Sequence, residues 1–453
     1  MDRLSPLIRN VFYPLWMIKD GDRDILRYLD YFDFIDNLTR AELERRQSKK
    51  LKHILIHAYE NTTYYRTLFD ELTFHPHDMV MSHEIRQIPL LTKKIVRKRF
   101  NDLRASNIKN DFIREANTGG STGVPMCFLR DKKCLYLRRG QELYFDRWMG
   151  YKIGEKIAYF VASSHYHGKA NNIKGKIRNA TCERMLNFNP HNITDKYMQA
   201  FAAQYQRYKP KMIKCFPNAL TPFAHFVNRH DLSMPTVRSI SCTGENLYVQ
   251  QRHLFEKVFG GEVFEKVGTR ESGVFACECN LHKGLHLFTE GVFVEIIKEN
   301  GEHAKRGEMG RLIITDLFNE AMPLIRYEIG DMAIASDSRI CECGSELPLI
   351  DKFLGRDRDI ILDSRGNPKP GYLFVEVIKH LNLDAQIQVI QPDKHSLLVK
   401  VVDNSAGEIN LKELQYEYQK IVGPLVNITF EFENEIKRDP SGKFSYVKSE
   451  IKR

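Results

Sequence analysis

The most specific stretch of the sequence reads TGGSTGVP and covers residues 118–125. Glycine lets a backbone approach an anion closely and present its amide hydrogens to it, and hydroxyl side chains add further donors. The residues that we single out here are Thr118, Gly120, Ser121, Thr122 and Gly123. The segment lacks the Gly-Lys-Ser/Thr ending of a Walker A motif. Taken alone, it is as typical of a flexible loop as of a phosphate-binding loop.

The sequence around this segment predicts an α/β body. Past residue 110, short apolar runs such as 157–162 and 239–243 alternate with helical patterns such as 197–208. Strands that alternate with helices are typical of α/β folds, and 292–297 and 311–315 predict further strands. Before residue 110 the pattern is helical. One helix is expected over 39–69, because Thr39 and Glu42 form a capping box, and another over 92–103.

The end of the chain predicts a small unit of its own. Residues 387–390 and 397–402 resemble a hairpin, a helical stripe follows at 411–422, and 426–432 alternates as a strand. These patterns give three regions: an N-terminal helical region over 1–110, a core over 111–354, and a small α+β domain over 355–453.

Composition excludes several classes of protein. The chain has 453 residues, of which 42% are hydrophobic, and no apolar run approaches the roughly 18 residues that span a membrane. The formal net charge of +10 favours anionic partners such as nucleotides, coenzyme A or acidic lipids. No nucleic-acid-binding module is recognisable, so we expect no nucleic acid partner. Nine cysteines without a signal peptide predict a reducing cytoplasm.

The first 18 residues allow two interpretations. Six apolar residues flanked by arginine and lysine are typical of a basic helix that lies on a membrane surface: Leu4, Ile8, Val11, Phe12, Leu15 and Trp16. We favour a helix packed on the body of the protein, because Pro14 is expected to break a long amphipathic face. Peripheral association with the inner face of the membrane stays the alternative.

Five further segments follow the glycine-rich stretch in a fixed order. They are CTGENL (242–247), VGTRE (267–271), YEIGD (327–331), LGRDRD (354–359) and RDPSGK (438–443). With these segments, the chain resembles the adenylate-forming superfamily of acyl-CoA synthetases. It is most similar to the phenylacetate–CoA ligase-like branch, which includes relatives encoded with capsular-polysaccharide genes (CapK-like). HAYEN (57–61), YYR (64–66) and IPLLTK (88–93) carry that closer resemblance.

The resemblance implies a role for each motif. Such enzymes attack the α-phosphate of ATP with a carboxylate, so preorganised donors and Mg²⁺ are expected to dominate catalysis. The loop at 118–123 would cradle the β- and γ-phosphates, and Glu271 would hold Mg²⁺. Asp331 would accept hydrogen bonds from the ribose hydroxyls. Gly244 and Glu245 would border the adenine, and Arg356 would reach ribose or phosphate.

The resemblance also assigns the end of the chain. Lys443 would enter the active site and bridge the substrate and the α-phosphate during adenylation. The small domain would then rotate about residues 355–359 for thioester formation with coenzyme A. One departure is Val267, which stands where the family usually has an aromatic residue that stacks on adenine. The position before Glu271 is Arg270, where a hydroxyl residue is commoner.

The acyl pocket and a metal site complete the expectations. By position, His165, Tyr166, Asn218 and Ala219 would line the pocket, and their polarity suits a polar carboxylate better than phenylacetate. Three thiolates and one imidazole make a closed tetrahedral site for structural Zn²⁺. We expect Cys279, Cys341 and Cys343 with one histidine, His286 in preference to His282, and buried free cysteines are the alternative.

These expectations converge on one function and leave two alternatives. The function is ATP-dependent activation of a carboxylate and its transfer to coenzyme A, which could serve capsular or exopolysaccharide biosynthesis. The first alternative passes the acyl adenylate to an amine or a carrier without coenzyme A. The second is a non-catalytic scaffold in a polysaccharide-assembly complex.

Overall fold

The computed structural model describes residues 2, 4–118, 126–161, 172–337, 340–356, 359–381, 383, 385–403, 409–436 and 445–451. Its strands, in chain order, are β1 (Ile113–Asn117), β2 (Cys127–Asp131), β3 (Ile157–Phe160), β4 (Met185–Asn187), β5 (Met212–Cys215), β6 (Ser239–Thr243), β7 (Glu262–Thr269), β8 (Gly273–Glu278), β9 (Leu285–Leu287), β10 (Val292–Ile297), β11 (Met309–Asp316), β12 (Tyr327–Ala335), β13 (Leu349–Arg356), β14 (Ile360–Leu362), β15 (Pro368–Pro370), β16 (Ala385–Asp393), β17 (Ser396–Asp403), β18 (Asn427–Phe432) and β19 (Val447–Ser449).

The α-helices of the described residues are α1 (Leu4–Leu7), α2 (Tyr13–Lys19), α3 (Arg40–Asn61), α4 (Thr63–Glu71), α5 (Lys93–Lys98), α6 (Phe100–Leu103), α7 (Lys132–Trp148), α8 (Ile173–Arg178), α9 (Asp195–Tyr208), α10 (Pro217–Arg229), α11 (Val249–Phe259), α12 (Tyr372–His380) and α13 (Leu411–Val422). None of them is both long and apolar enough to cross a membrane. The predicted capping box of Thr39 and Glu42 is present at the start of α3. The helix expected over 39–69 is divided at Thr62, whose side chain caps α4.

In the described residues, eleven strands form the largest sheet, in the order β10-β11-β12-β13-β9-β8-β7-β6-β5-β3-β4. One end of this sheet is parallel, as βαβ connections require, and consists of β4, β3, β5, β6 and β7. From β7 to β8 and onwards to β10 at the other end, neighbouring strands pair antiparallel. The predicted α/β body is therefore confirmed, with a mixed sheet at its centre. The change from parallel to antiparallel pairing falls at the β7–β8 hairpin, which holds Glu271.

Helix α7 is fixed to this sheet by a buried charge cluster. Asp146 is fully buried and accepts from the ammonium groups of Lys214 on β5 and Lys266 on β7, at 2.5 and 2.8 Å. Lys214 also pairs with Glu142 at 2.8 Å. A buried charge needs close partners, and each of these charges has one. The two ion pairs of Asp146 therefore hold β5 and β7 against helix α7.

The C-terminal residues supply a sheet and a core of their own. Strands β18, β17, β16 and β19 form a four-stranded sheet in that order, and α12 and α13 contact each other. The hairpin predicted at 387–402 is the β16–β17 pair, and the predicted helix and last strand are α13 and β18. Val389, Val399, Leu414 and Tyr418 are fully buried in its core.

The N-terminal helix is continuous from Leu4 to Lys19, so the expectation that Pro14 breaks it is wrong. A π-helical turn at Ile8–Phe12 precedes α2, and the backbone N–H of Tyr13 donates to the carbonyl of Ile8. The wider turn and the position of Pro14 near the start of α2 remove the usual conflict between proline and the preceding turn. Tyr13, Trp16 and Met17 pack on the body, as expected.

Candidate active site and metal centre

Hydrogen bonds join the two described residues that flank the glycine-rich stretch, Thr118 and Met126. Its residues 119–125 lie outside the described part of the chain, and so does every hydroxyl and glycine predicted there except Thr118. The backbone N–H of Thr118 donates to the carbonyl of Met126 at 2.9 Å, and the N–H of Met126 donates to Thr118 Oγ1 at 3.0 Å. These bonds continue the β1–β2 pairing to the base of the stretch. The two described ends of the stretch, Thr118 and Met126, are therefore held next to each other.

A hydrogen bond from Arg270 joins the turn at Glu271 to the end of strand β1. The guanidinium of Arg270 donates to the carbonyl of Asn117 at 3.0 Å, which is one residue before Thr118. The turn itself is closed by Thr269, whose hydroxyl lies 2.9 Å from that of Ser272 and accepts from its backbone N–H at 3.1 Å. Arg270 thus joins the two predicted nucleotide motifs, although the motif pattern favoured a hydroxyl residue there.

Gly268 permits this turn. A Cβ atom at this position would lie 2.6 Å from the carbonyl oxygen of Gly273 and 2.9 Å from Cα of Val274. Both contacts are with backbone across the β7–β8 hairpin, so a larger residue would separate the strands. The preceding residue, Val267, is 4% exposed and belongs to the largest apolar core. Its side chain therefore has a packing role.

Glu271 is buried and has a defined hydrogen-bond partner. It is 6% exposed, and the hydroxyl of Tyr327 donates to its Oε1 at 3.1 Å. Burial and the neighbouring Glu271 carboxylate raise the pKa of Tyr327, so that residue remains a neutral donor. Tyr327 begins the YEIGD motif, so the structure joins two motifs that are 56 residues apart.

The same motif ends on Asp331, which faces Arg356. The two residues are direct partners in the β12–β13 ladder, and Arg356 Nε lies 3.0 Å from Asp331 Oδ1. The carboxylate of Asp331 is the main reason that the pKa of Arg356 is raised. Arg356 also donates to the carbonyl of Ile329 at 3.1 Å. The two predicted nucleotide ligands are thus preorganised by each other.

Lys93 also lies in this cluster, although its motif predicts no role for it. Its ammonium donates to the carbonyl of Ile329 at 3.4 Å, the carbonyl that Arg356 uses. Burial, followed by the charge of Arg356, lowers the pKa of Lys93, while Glu271 and Asp331 act in the opposite direction. Leu91 holds the segment against β12, because its backbone bonds to Arg326 and Glu328 at 2.9 and 3.0 Å. Two cations therefore meet between two carboxylates.

The CTGENL motif lies on the other side of β13. Asn246 donates to the carbonyl of Leu354 at 3.3 Å, two residues before Arg356. A Cβ atom on Gly244 would lie 2.5 Å from the ring of Phe216, so only glycine fits there. Glu245 accepts from the backbone N–H of Asn218 at 3.1 Å. These contacts bring the predicted adenine-bordering residues to the strand that carries Arg356.

The predicted acyl pocket is described only in part. His165 and Tyr166 lie outside the described residues, as does the predicted catalytic Lys443. Asn218 is buried, and its side-chain oxygen accepts from Gln251 at 2.8 Å. Ala219 is 6% exposed and belongs to the core around α10. Asn218 is thus fixed by Gln251 and orients Glu245 through its backbone.

The four predicted zinc ligands form one cluster. The candidate ligand atoms of Cys279, His286, Cys341 and Cys343 all lie within 4.8 Å of one another. Cys279 and Cys341 are 3.8 Å apart at sulfur, and Cys343 Sγ is 3.5 Å from His286 Nε2. Three thiols and an imidazole at this spacing suit tetrahedral zinc.

The histidine is oriented for this role. His286 is fully buried, and its Nδ1 lies 3.3 Å from the carbonyl of Leu347, which can only accept. Nδ1 therefore carries the proton, and the lone pair of Nε2 faces the sulfur atoms. Burial lowers the pKa of His286 to about 4, so it is neutral. His282 instead lies within 3.2 Å of the carboxylates of Glu278 and Glu262.

The chain is similar to several known proteins. Residues 370–450 match the model of the CapK C-terminal domain. The chain is 22% identical to Protein CapK of Staphylococcus aureus over 93% of both chains. It is 25% identical to phenylacetate-coenzyme A ligase of Escherichia coli K12, over 79% of this chain and 81% of that one. A crystal structure of 2-hydroxyisobutyryl-CoA ligase with a bound adenylate matches 91% of the chain and 90% of its own, with a TM-score of 0.73 at 17% identity.

Proposed function

We propose that the chain is an adenylate-forming enzyme that activates a carboxylate with ATP and transfers the acyl group to coenzyme A, a proposal supported by its similarity to phenylacetate-coenzyme A ligase. The observation that carries this proposal is the convergence of Lys93, Glu271, Asp331 and Arg356 near Asn117, where the glycine-rich stretch begins. Carboxylates for a metal and a ribose, and cations for phosphate, are what adenylation needs in one place.

The reaction has two steps. A carboxylate oxygen of the substrate attacks the α-phosphorus of ATP, and the bond from that phosphorus to the bridging oxygen breaks, which releases pyrophosphate. The sulfur of coenzyme A, after losing its proton, then attacks the acyl carbon, and AMP leaves with the bonding electron pair. In both steps negative charge shifts between oxygens of the phosphate. Fixed cations and donors therefore provide most of the stabilisation.

Each predicted site residue has a place in this scheme. Glu271 would hold Mg²⁺ through the carboxylate that Tyr327 orients, and the ion, when bound, supplies positive charge next to the phosphates. Asp331 would accept from the ribose hydroxyls, while the guanidinium of Arg356 holds that carboxylate in position. Gly244 and Glu245 would border the adenine. Lys443 would bridge the acyl carboxylate and the α-phosphate.

Lys93 extends the set by one cation. Its ammonium and the guanidinium of Arg356 share one carbonyl acceptor and repel each other. The carboxylates of Glu271 and Asp331 offset this repulsion only in part, because burial and the charge of Arg356 still lower the pKa of Lys93. A bound phosphate relieves this repulsion. Lys93 is therefore assigned to phosphate binding in the nucleotide site.

We expect Lys93→Ala to raise KM for ATP about tenfold to a hundredfold, because a charge-assisted hydrogen bond is worth about 1.5–3 kcal/mol. Steady-state kinetics at saturating acid measures this, with kcat reported separately. Lys94→Ala is the matched control, since Lys94 is the exposed next residue. Equal KM values for the two variants would contradict the assignment.

The Cys279 cluster is proposed to hold structural Zn²⁺. It would fix the loop between β12 and β13 to strand β9, since Leu349 pairs with His286 in the sheet. The free thiols, all nine of which lie in the described residues, need a reducing environment, which supports a cytoplasmic location.

The deciding experiment is ATP–pyrophosphate exchange by the purified chain with Mg²⁺ and a panel of carboxylates. We expect exchange with one class of acid, and polar acids are expected to exceed phenylacetate. Lys443→Ala should lower the exchange at least about a hundredfold, while Lys448→Ala, which removes a lysine paired with Glu450, should not. A wild-type chain that neither exchanges pyrophosphate nor binds ATP would favour a non-catalytic scaffold.

The acceptor is tested in the same preparation. Release of AMP that depends on coenzyme A, with formation of the thioester, is the expected result. Stable acyl adenylate that only an amine or a carrier protein discharges would instead support the alternative acceptor.

A further inference from the structure

We propose that the N-terminal helix and α8 form a docking surface for a membrane that contains anionic phospholipids. The first observation is an apolar stripe along the outer side of the N-terminal helix, between 42% and 56% exposed: Leu4, Leu7, Val11, Leu15 and Ile18. Their spacings of three and four residues place them on one face. Single exposed apolar residues are common, but five in one line are not.

The stripe crosses the π-helical turn without interruption. Ile8, Tyr13, Trp16 and Met17 point the other way and are buried against the body. The segment therefore uses both faces, one for packing and one directed to solvent. The packing of the inner face fixes the outer face in position, so the stripe is preformed.

Helix α8, which lies next to the N-terminal helix, adds two exposed apolar residues. The indole N–H of Trp16 donates to the hydroxyl of Thr181 at 2.9 Å, and that hydroxyl donates to the carbonyl of Ile177 at 2.7 Å. The guanidinium of Arg178 lies 5.2 Å from the Trp16 ring. Ile173 and Ile177, one turn apart, are 79% and 52% exposed. Two adjacent helices thus present apolar residues to solvent.

The charged residues beside the apolar ones indicate which partner this surface binds. Lys19, Lys174 and Lys176 are exposed beside the apolar residues. The nearby acids Asp20 and Glu183 are both paired with Arg178. Within the described ranges, neither Lys174 nor Lys176 pairs with a carboxylate.

This surface is therefore apolar and cationic, which complements acyl chains and phosphate headgroups. A second copy of the chain would bring the same lysines together. An anionic membrane is the partner that satisfies both features.

Flotation of the full-length chain with vesicles tests the proposal. We expect binding to phosphatidylcholine vesicles that contain about one third phosphatidylglycerol, and weak binding to phosphatidylcholine alone. Leu7→Glu combined with Leu15→Glu should reduce the bound fraction at least about tenfold. Lys174→Glu combined with Lys176→Glu should remove the preference for anionic lipid.

Val80→Glu with Leu425→Glu is the matched control, because these residues are 82% and 77% exposed elsewhere in the chain. That control should bind as the wild type does, and all variants should keep the same thermal midpoint and pyrophosphate exchange. Three results would overturn the proposal: no binding by the wild type, equal loss in the control, or a wild-type dimer that Leu15→Glu converts to a monomer. None of these results bears on adenylation.

Discussion

Glu271→Gln is expected to lower ATP–pyrophosphate exchange by about a hundredfold to a thousandfold, the loss typical of removing one preorganised charge from a reacting centre. Glutamine has nearly the same shape and can still accept from the hydroxyl of Tyr327. The change therefore removes the negative charge and leaves the turn that Thr269 and Ser272 close. The concentration of Mg²⁺ that gives half-maximal exchange should rise as well, since a carboxylate is the preferred ligand of this ion.

Glu328→Gln is the control for this prediction. Glu328 follows Tyr327 on β12 but points to the opposite face of the strand, where it pairs with Arg311 at 2.6 Å. Glu328 is also a glutamate, it lies on the strand that carries Tyr327, and it is outside the cluster. If Glu271→Gln kept wild-type exchange at the same Mg²⁺ requirement, the assignment of Glu271 as the metal ligand would be wrong.

Local patterns predicted the elements that local physics determines. The capping box at Thr39 is an interaction over three residues, and the alternation of β18 and the stripe of α13 follow from the burial of one face. The break predicted at Pro14 is absent because the effect of a proline depends on the turn before it. A π-helical turn has no simple signature in composition, so the continuity of the N-terminal helix became visible only in the structure.

Long-range contacts limited what could be said of the site. Lys93 belongs to the quoted IPLLTK segment, yet its role depends on the pairing of Leu91 with β12, more than 230 residues later in the chain. The sequence favours His286 over His282 as the zinc ligand, and the physical reason is that the two histidines have different hydrogen-bond partners. His282 is engaged by Glu262 and Glu278, while the carbonyl of Leu347 orients His286.

The order of motifs was more informative than any single motif. Glu271 and Tyr327 lie in different motifs and form one hydrogen bond, and Asp331 and Arg356 do the same by an ion pair. Polar residues spread over a long chain are usually solvated, whereas these are brought into one cluster by β12 and β13. That convergence supports the nucleotide site that the resemblance between short segments predicts.

Cys341→Ala and Cys343→Ala should each reduce the zinc content of the purified chain from one ion per molecule to a small fraction of that. Zinc bound only in the folded state adds its binding free energy to stability, so losing the ion should cost about 3–5 kcal/mol and lower Tm by about 5–10 °C. The estimate is far below that for a zinc finger, because this chain has large apolar cores that form without the metal. Metal analysis and thermal melts with and without a chelator measure both effects.

Cys127→Ala is the control, since Cys127 is a half-buried thiol on β2 outside the cluster. It should keep its zinc and its sensitivity to chelator, while the two cluster variants should melt at the same temperature with or without chelator. The expected effect on nucleotide binding is indirect, because the loop that holds Cys341 and Cys343 leads into β13 and β13 ends on Arg356. A wild-type chain that neither contains nor takes up zinc, and whose Tm ignores a chelator, would show that these four residues are buried side chains without a metal.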